Sequence, residues 1–172
     1  MIFAPSHLRT LAALLAMLAL PGIAASQTAP ADVKFYGSPS AIISSGVIIP
    51  ADRASIWVSG TTPAIAKADA PAGSRDRFGD TRTQAASILK TIETQLKAQG
   101  LGMKDVVYVR AYLVPDTGTG GKIDVAGWNA AFTEVFGTSA NPIKPARSTV
   151  GVTALVNADW LVELEAFAVY PK

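Results

Sequence analysis

The chain ends in two strand-like stretches, Pro145-Ala146-Arg147-Ser148-Thr149-Val150 and, after a short turn, Trp160-Leu161-Val162-Glu163-Leu164-Glu165-Ala166-Phe167-Ala168-Val169-Tyr170. The guanidinium of Arg147 is a planar fork of donors that fits a carboxylate. The carboxylate of Glu163 can accept a hydrogen bond and so orient a water molecule. Two neighbouring strands would then hold a carboxylate clamp beside a water-positioning group. The spacing alone also fits a second interpretation, an ion pair that ties two strand ends together.

Residues 1–26 have the layout of a secretory signal. Arg9 lies in a short polar start, an apolar run extends from Leu11 to Leu20, and the small residues Ala24-Ala25-Ser26 follow. The run is too short to span a bilayer as a helix. An uncleaved anchor is the alternative, but the small residues favour cleavage between Ala24 and Gln27. We therefore expect an exported protein, periplasmic or secreted, whose single mature domain comprises residues 27–172.

The composition excludes several kinds of chemistry. The chain has no cysteine, and its one histidine, His7, lies in the predicted signal. The mature domain therefore cannot build thiolate or imidazole zinc sites, a Ser-His-Asp triad, a thiolate nucleophile or a disulfide. Its formal charge falls from +2 to about +1 when Arg9 is removed, and it has no basic stripe of the kind that nucleic-acid binders need. We expect no nucleic-acid partner, no membrane contact after cleavage, no metal and no cofactor.

The hydrophobic pattern predicts five strands and two helices in one domain. In chain order these are a strand at 41–49, a strand at 55–59, a helix from Thr81 to Gly100, a strand at 106–114, a helix from Asp124 to Gly137, a strand at 148–155 and a strand at 160–170. The first two strands are predicted to form a hairpin, preceded by a loosely held arm from Gln27 to Ser40.

Turn and cap residues give further expectations. Thr81 and Gln84 have the spacing of a capping box at the start of the first helix, and Asp124 is expected to cap the second. Residues 61–78 are expected to form a long loop. The glycine-rich segment 116–122 fails the P-loop pattern, because Ile123 stands where Ser or Thr should follow the lysine. We interpret this segment as a flexible connection.

The strand at 106–114 is apolar on both faces. Val107, Val109 and Leu113 lie on one face, whereas Tyr108 and Tyr112 lie on the other with further apolar residues. Two helices can cover only one face of such a sheet, and an open antiparallel sheet normally alternates apolar with polar residues. We therefore expect an α+β fold with two helices on one face of the sheet. The second face is expected to be buried against other copies of the chain.

Several motifs resemble the RidA family of reactive-intermediate enamine and imine deaminases. They are Pro145-Ala146-Arg147-Ser148, Val162-Glu163-Leu164-Glu165-Ala166, Val58-Ser59-Gly60, Thr83-Gln84-Ala85, Ala98 to Gly100, Asp105-Val106-Val107 and Trp128-Asn129-Ala130-Ala131-Phe132. The resemblance covers nearly the whole mature chain. It implies a chorismate-mutase-like β-β-α-β-α-β-β fold and a homotrimer whose sheets form a central barrel. It also implies hydrolysis of 2-aminoacrylate-type intermediates to 2-oxo acids and ammonia, without a cofactor.

The resemblance also assigns roles to five residues, in sites that lie between subunits. Arg147 would bind the substrate carboxylate with help from the backbone amide of Gly60, and Glu163 would position water. Thr149 stands where many members have cysteine, and Asn129 would face the site from the second helix.

One family motif is absent. An early Gly-Pro-Tyr-Ser segment, whose tyrosine lines the pocket, is replaced by Ser40-Ala41-Ile42-Ile43-Ser44-Ser45-Gly46. A non-catalytic trimer that binds small carboxylates, or an interaction protein on the same scaffold, is therefore the alternative. Three further interpretations accompany these: Glu165 is structural, Asn129 could instead lie on the helix surface, and Trp57, Trp128 and Trp160 lie in the core or an interface.

Overall fold

The computed structural model describes residues 30–172. The predicted secretory signal lies outside this range. Within it, no helix is both long enough and apolar enough to cross a membrane. The described chain has six strands and two α-helices: β1 (Lys34–Tyr36), β2 (Gly46–Ile48), β3 (Ser55–Thr61), α1 (Thr81–Ala98), β4 (Val106–Leu113), α2 (Val125–Val135), β5 (Ala146–Gly151) and β6 (Val162–Val169). The α+β class is confirmed, and β1 is an additional strand in the predicted arm.

The main sheet has four strands in the order β3-β6-β4-β5. β6 is antiparallel to both β3 and β4, whereas β4 and β5 run parallel, with Val109 opposite Arg147. β1 and β2 form a separate two-stranded ribbon. The ribbon is linked to β5 by a single parallel bridge between Ser44 and Ala146. β5 is therefore the edge strand of the main sheet that lies next to the ribbon, and β3 forms the opposite edge.

Both helices cover one face of the sheet. The predicted apolar face of α1 is at most 2% exposed, and it packs with Trp128, Phe132 and Phe136 against inward-facing residues of β4 and β6. Helix α1 ends at a left-handed glycine, Gly100, with φ of +76°. Asp124 caps α2, because its Oδ1 accepts a hydrogen bond from the amide of Gly127 at 2.8 Å. These features agree with the sequence pattern.

The predicted hairpin is wrong. β2 pairs with β1, and β3 pairs with β6 at the other end of the chain. The turn after Pro50 directs β3 to the open edge of β6 instead of back along β2. Only three residues of the predicted first strand are extended enough to pair, because the preceding residues bend toward the edge of β5.

The cap at the start of α1 also differs from the prediction. Asp80 is the N-cap, and its Oδ1 accepts a hydrogen bond from the amide of Thr83 at 2.8 Å. Gln84 is fully buried instead of closing a capping box. Its amide nitrogen donates to the carbonyls of Gly79 and Asp159, and its amide oxygen accepts from the Leu161 amide at 2.7 Å. Gln84 therefore ties the helix start to the segment that leads into β6.

The glycine-rich segment 116–122 is held more firmly than predicted. Asp116 is 2% exposed, and both of its carboxylate oxygens accept hydrogen bonds from Arg75 in the long loop before α1. The same carboxylate accepts from the amide of Gly118 at 2.8 Å. An ion pair between the buried carboxylate of Asp116 and the partly exposed guanidinium of Arg75 thus joins the two longest connections. It anchors the start of the segment, where a flexible connection was predicted.

The face of the sheet away from the helices carries large side chains that remain partly exposed. Trp57 is 60% exposed, and its ring lies 5.6 Å from that of Phe167 on the neighbouring strand. Tyr108 and Tyr112 are half-buried on the same face. Aromatic side chains left this open agree with the expectation that further protein covers the face.

Candidate functional site

Arg147 lies on the helix-covered side of β5, where α2 surrounds its guanidinium. Its Cζ lies 4.7 Å from the ring centroid of Phe132 and 5.2 Å from that of Trp128. Its Nη2 donates to the side-chain oxygen of Asn129 at 2.7 Å. The indole nitrogen of Trp128 donates to Oγ1 of Thr149 at 3.1 Å. The predicted residues Arg147, Asn129 and Thr149 are therefore brought together around one tryptophan.

The charge of Arg147 is positioned but not neutralised. Within residues 30–172, no carboxylate lies within ion-pair distance of its guanidinium, and its buried Nη1 has no hydrogen-bond partner. Burial lowers the pKa of Arg147, because an apolar environment disfavours the charged form. Guanidinium groups nevertheless stay charged in proteins. Arg147 thus presents an unpaired cation, held over two aromatic rings.

Glu163 and Gly60 form a second group. β3 has an irregularity between Val58 and Thr61, and the backbone at Gly60 comes close to β6. A Cβ atom added at Gly60 would lie 2.0 Å from Oε1 of Glu163. The carboxylate of Glu163 therefore occupies the space that a side chain at position 60 would need.

One chain does not bring the two groups together. The sequence pattern suggested that the strands carrying Arg147 and Glu163 are neighbours. In the structure β4 lies between them. The core residues Val162 and Leu164 flank Glu163, so Glu163 points away from the helices that surround Arg147. The alternative of an ion pair between the two strand ends is not found in the described chain. Gly60 lies beside Glu163, so within one chain it belongs to the group around Glu163 and not to the group around Arg147.

Glu165 is engaged by its neighbours on β4. Its carboxylate accepts from Nη1 of Arg110 at 3.2 Å and from the hydroxyl of Tyr112 at 3.5 Å. Arg110 and Glu165 are directly opposite each other in the two strands. This agrees with the structural role expected of Glu165, whereas the neighbouring Glu163 has no ion pair among residues 30–172.

The aromatic support of Arg147 is not predicted by the sequence analysis. The hydrophobic pattern assigns Trp128 and Phe132 to the core, which is correct because both are fully buried. They are four residues apart on α2 and so share a face, with Asn129 beside them. This four-residue spacing of two aromatic residues on a helix that faces the strand of Arg147 is the sequence signal from which the aromatic support could have been predicted.

The third tryptophan, Trp160, packs edge-on against Phe78 with ring centroids 6.4 Å apart.

The segment that replaces the missing pocket tyrosine lies beside β5. The amide of Ser44 donates to the carbonyl of Pro145 at 3.3 Å, and the Ser44 hydroxyl donates to the carbonyl of Lys144 at 2.6 Å. The ribbon carries an aromatic side chain at Tyr36. Its hydroxyl oxygen would lie 2.3 Å from a Cβ atom added at Gly46. Among residues 30–172, no group of three His, Cys, Asp or Glu side chains is placed to hold a metal ion.

Comparisons with known proteins agree with this arrangement. The family model described as Endoribonuclease L-PSP matches residues 44–170. The RutC family protein PH0854 of Pyrococcus horikoshii is 37% identical over 90 residues, which are 52% of this chain and 63% of that curated relative. The chain thus spans less than two thirds of the relative's length.

Solved structures have the same fold. A protein of the Rid family from Yersinia pestis superimposes with a TM-score of 0.59 at 20% identity, over 81% of this chain and 99% of the other. A member of the YjgF/YER057c/UK114 family from Mycobacterium tuberculosis gives a TM-score of 0.51 at 27% identity, over 81% of this chain and 100% of the other.

Proposed function

Because the chain belongs to the Endoribonuclease L-PSP family, we propose that it hydrolyses reactive enamine and imine intermediates of the 2-aminoacrylate type to 2-oxo acids and ammonia. The reaction takes place in sites between the subunits of a homotrimer. The observation that carries the proposal is the guanidinium of Arg147, which is half-buried, oriented by Asn129 and two aromatic rings, and without a carboxylate partner among residues 30–172.

The substrate carboxylate would complete the coordination of Arg147. A carboxylate offers acceptors to Nη1 and Nη2, and a charged hydrogen bond of this kind contributes about 1.5–3 kcal/mol. Asn129 and the two rings hold the guanidinium in place before binding, so little side-chain entropy is lost when the ligand arrives.

Glu163 would act on the water. The enamine first tautomerises to the imine. Water then adds to the imine carbon while Glu163 of an adjacent subunit accepts one of its protons, and the carboxyl group returns this proton to the nitrogen. The resulting carbinolamine expels ammonia and leaves the 2-oxo acid. Since the imine is already labile in water, positioning and general-base help of about 10²–10⁴-fold are sufficient for catalysis.

The positions of Arg147 and Glu163 on the two faces of the sheet support the proposed division of the site between subunits. Arg147 lies among the helices next to the outermost strand, and Glu163 lies on the partly exposed aromatic face. A second copy placed against that face can bring its own Arg147 toward Glu163. A single copy cannot, because β4 separates the two strands.

The test is ammonia release from imines made freshly by an amino-acid oxidase, measured against spontaneous hydrolysis. Arg147→Lys is expected to weaken substrate affinity about 10- to 150-fold, and Glu163→Gln is expected to lower turnover more than affinity. Matched controls are Arg82→Lys, which alters an exposed ion pair with Glu134, and Glu165→Gln.

Two other results would replace the proposal. Binding of a 2-oxo acid that depends on Arg147, without any acceleration of imine hydrolysis, would identify a non-catalytic carboxylate-binding trimer. Cleavage of RNA by the purified protein, with no effect on imines, would support the activity named in the family description.

A further inference from the structure

The side chain directly opposite Glu163 on β4 is a tyrosine that the proposed reaction does not use. In the antiparallel pairing of β4 with β6, Tyr112 is the partner of Glu163. Both side chains are half-buried and lie on the face of the sheet away from the helices. Directly opposite residues of an antiparallel pair have Cβ atoms about 4.5–5.5 Å apart. The phenol ring of Tyr112 therefore begins beside the group that is proposed to act on the water.

The carboxylate of Glu163 is turned away from this ring. Its Oε1 lies over Gly60 of β3, where an added Cβ atom would be only 2.0 Å away. Gly60 leaves this space free because it has no side chain. The carboxylate therefore lies on the β3 side of Glu163, and Tyr112 bounds the β4 side. A ligand that approaches the carboxylate from outside the sheet has the phenol ring as its neighbour on the β4 side.

The position of Tyr112 along its strand is set by a charged pair. Its hydroxyl is directed at Oε1 of Glu165, 3.5 Å away, and Nη1 of Arg110 donates to Oε2 of the same carboxylate at 3.2 Å. The guanidinium of Arg110 in turn lies over the ring of Tyr108, with Cζ 5.7 Å from the ring centroid. Because Glu165 engages the hydroxyl of Tyr112, the part of this residue left for a ligand at Glu163 is its apolar ring.

We propose that Tyr112 determines how long a side chain the substrate can carry, an inference that rests on the imine hydrolysis proposed above. At the planar imine carbon, the side chain and the carboxylate point in different directions. With the carboxylate on Arg147 of the adjacent subunit and the water on Glu163, the side chain extends along the sheet face toward Tyr112. The ring packs against a methyl or ethyl group and obstructs a longer, branched one.

The test compares two imines made by the same D-amino-acid oxidase, one from D-alanine and one from D-leucine. Both products are 2-imino acids without a chiral Cα, so the enantiomer of the amino acid does not matter. Ammonia release above the spontaneous rate is measured well below saturation, and the leucine-derived rate is divided by the alanine-derived rate. Tyr112→Ala is expected to raise this ratio at least about tenfold, since a single methylene group in an apolar pocket already changes discrimination about 10- to 200-fold.

Three variants make the comparison specific. Tyr108→Ala removes the same kind of ring from the same face, about 13 Å along β4, and should leave the ratio unchanged. Tyr112→Phe removes only the hydroxyl and should also leave it unchanged. Tyr112→Trp enlarges the ring and should lower the ratio, which keeps the test decisive if Tyr112→Ala does not assemble. Light scattering and melting temperature are measured on every sample.

Failure of this inference and failure of the proposed function give different results. If the unmodified protein accelerates neither imine, the proposed function is wrong and the role of Tyr112 falls with it. If it accelerates imine hydrolysis in a way that requires Glu163, two results overturn the role of Tyr112 alone. One is an unchanged ratio in both Tyr112→Ala and Tyr112→Trp, and the other is an equal change in Tyr108→Ala.

Discussion

The division of the proposed site between subunits can be tested by mixing two variants, each impaired in a different half of the site and assayed at a substrate concentration well below saturation. In Arg147→Lys trimers every site lacks the guanidinium, and in Glu163→Gln trimers every site lacks the carboxylate. Suppose that each site takes Arg147 from one chain and Glu163 from its neighbour. Refolding equal amounts of the two variants together then restores those sites in which the first chain has an intact Arg147 and the second an intact Glu163. With random assembly each of the two chains carries its intact residue with a probability of about one half, so about a quarter of all sites are restored.

A second mixture gives an independent value. When wild-type chains are mixed equally with a double variant carrying both changes, sites shared between chains retain about a quarter of the wild-type activity, whereas sites contained in one chain retain about half. The assay is ammonia release per folded trimer after joint unfolding and refolding in urea. Light scattering checks the trimer, and each variant refolded alone provides the baseline.

The reasoning is refuted if the mixed single variants are no more active than the mean of the two alone. It is also refuted if the double-variant mixture retains half of the activity. Either result would mean that a single chain brings the two groups together, contrary to their positions on separate strands and opposite faces of the sheet.

Three further predictions follow from individual contacts. Gly60→Ala should displace the flexible carboxylate of Glu163 and lower turnover to nearly the level of Glu163→Gln, with little change in melting temperature; full activity would contradict the close approach at Gly60. Arg75→Ala should cost about 1–3 kcal/mol of unfolding free energy in urea, because it removes the charged partner of the buried Asp116 carboxylate, which keeps only local hydrogen bonds such as that from the Gly118 amide. Asp116→Asn should cost less, since Arg75 is 40% exposed and can turn to water; the reverse order would disprove this. N-terminal sequencing of exported protein should give a start near Gln27, and an intact Met1 would refute the predicted cleavage.

The fold was largely predictable because its elements have strong local patterns. The apolar face of α1, the cap at Asp124 and the left-handed Gly100 depend on residues a few positions apart. The predicted hairpin failed because strand pairing is a long-range choice. Nothing local in residues 41–59 shows that β3 finds its partner more than 100 residues later.

The residues of the candidate site were chosen from the sequence, but their arrangement in the folded chain was not predicted. Glu163 lies between two large apolar residues, so alternation alone could have assigned it to the face away from the core. Arg147 lies between Ala146 and Ser148, two small residues that do not define a face. Its position among the helices could be read only from the aromatic pair on α2, which the pattern assigned to the core for sound reasons.

The stacking of Arg147 on Trp128 gives the protein a built-in optical reporter. The indole of Trp128 lies beneath the guanidinium and donates its N–H to Thr149. A ligand that draws the guanidinium even slightly toward itself alters the electric field across that ring, and with it the fluorescence emission. Replacing Trp57 and Trp160 with phenylalanine would leave Trp128 as the sole tryptophan, so that ligand binding could be followed in real time by its emission without any added label.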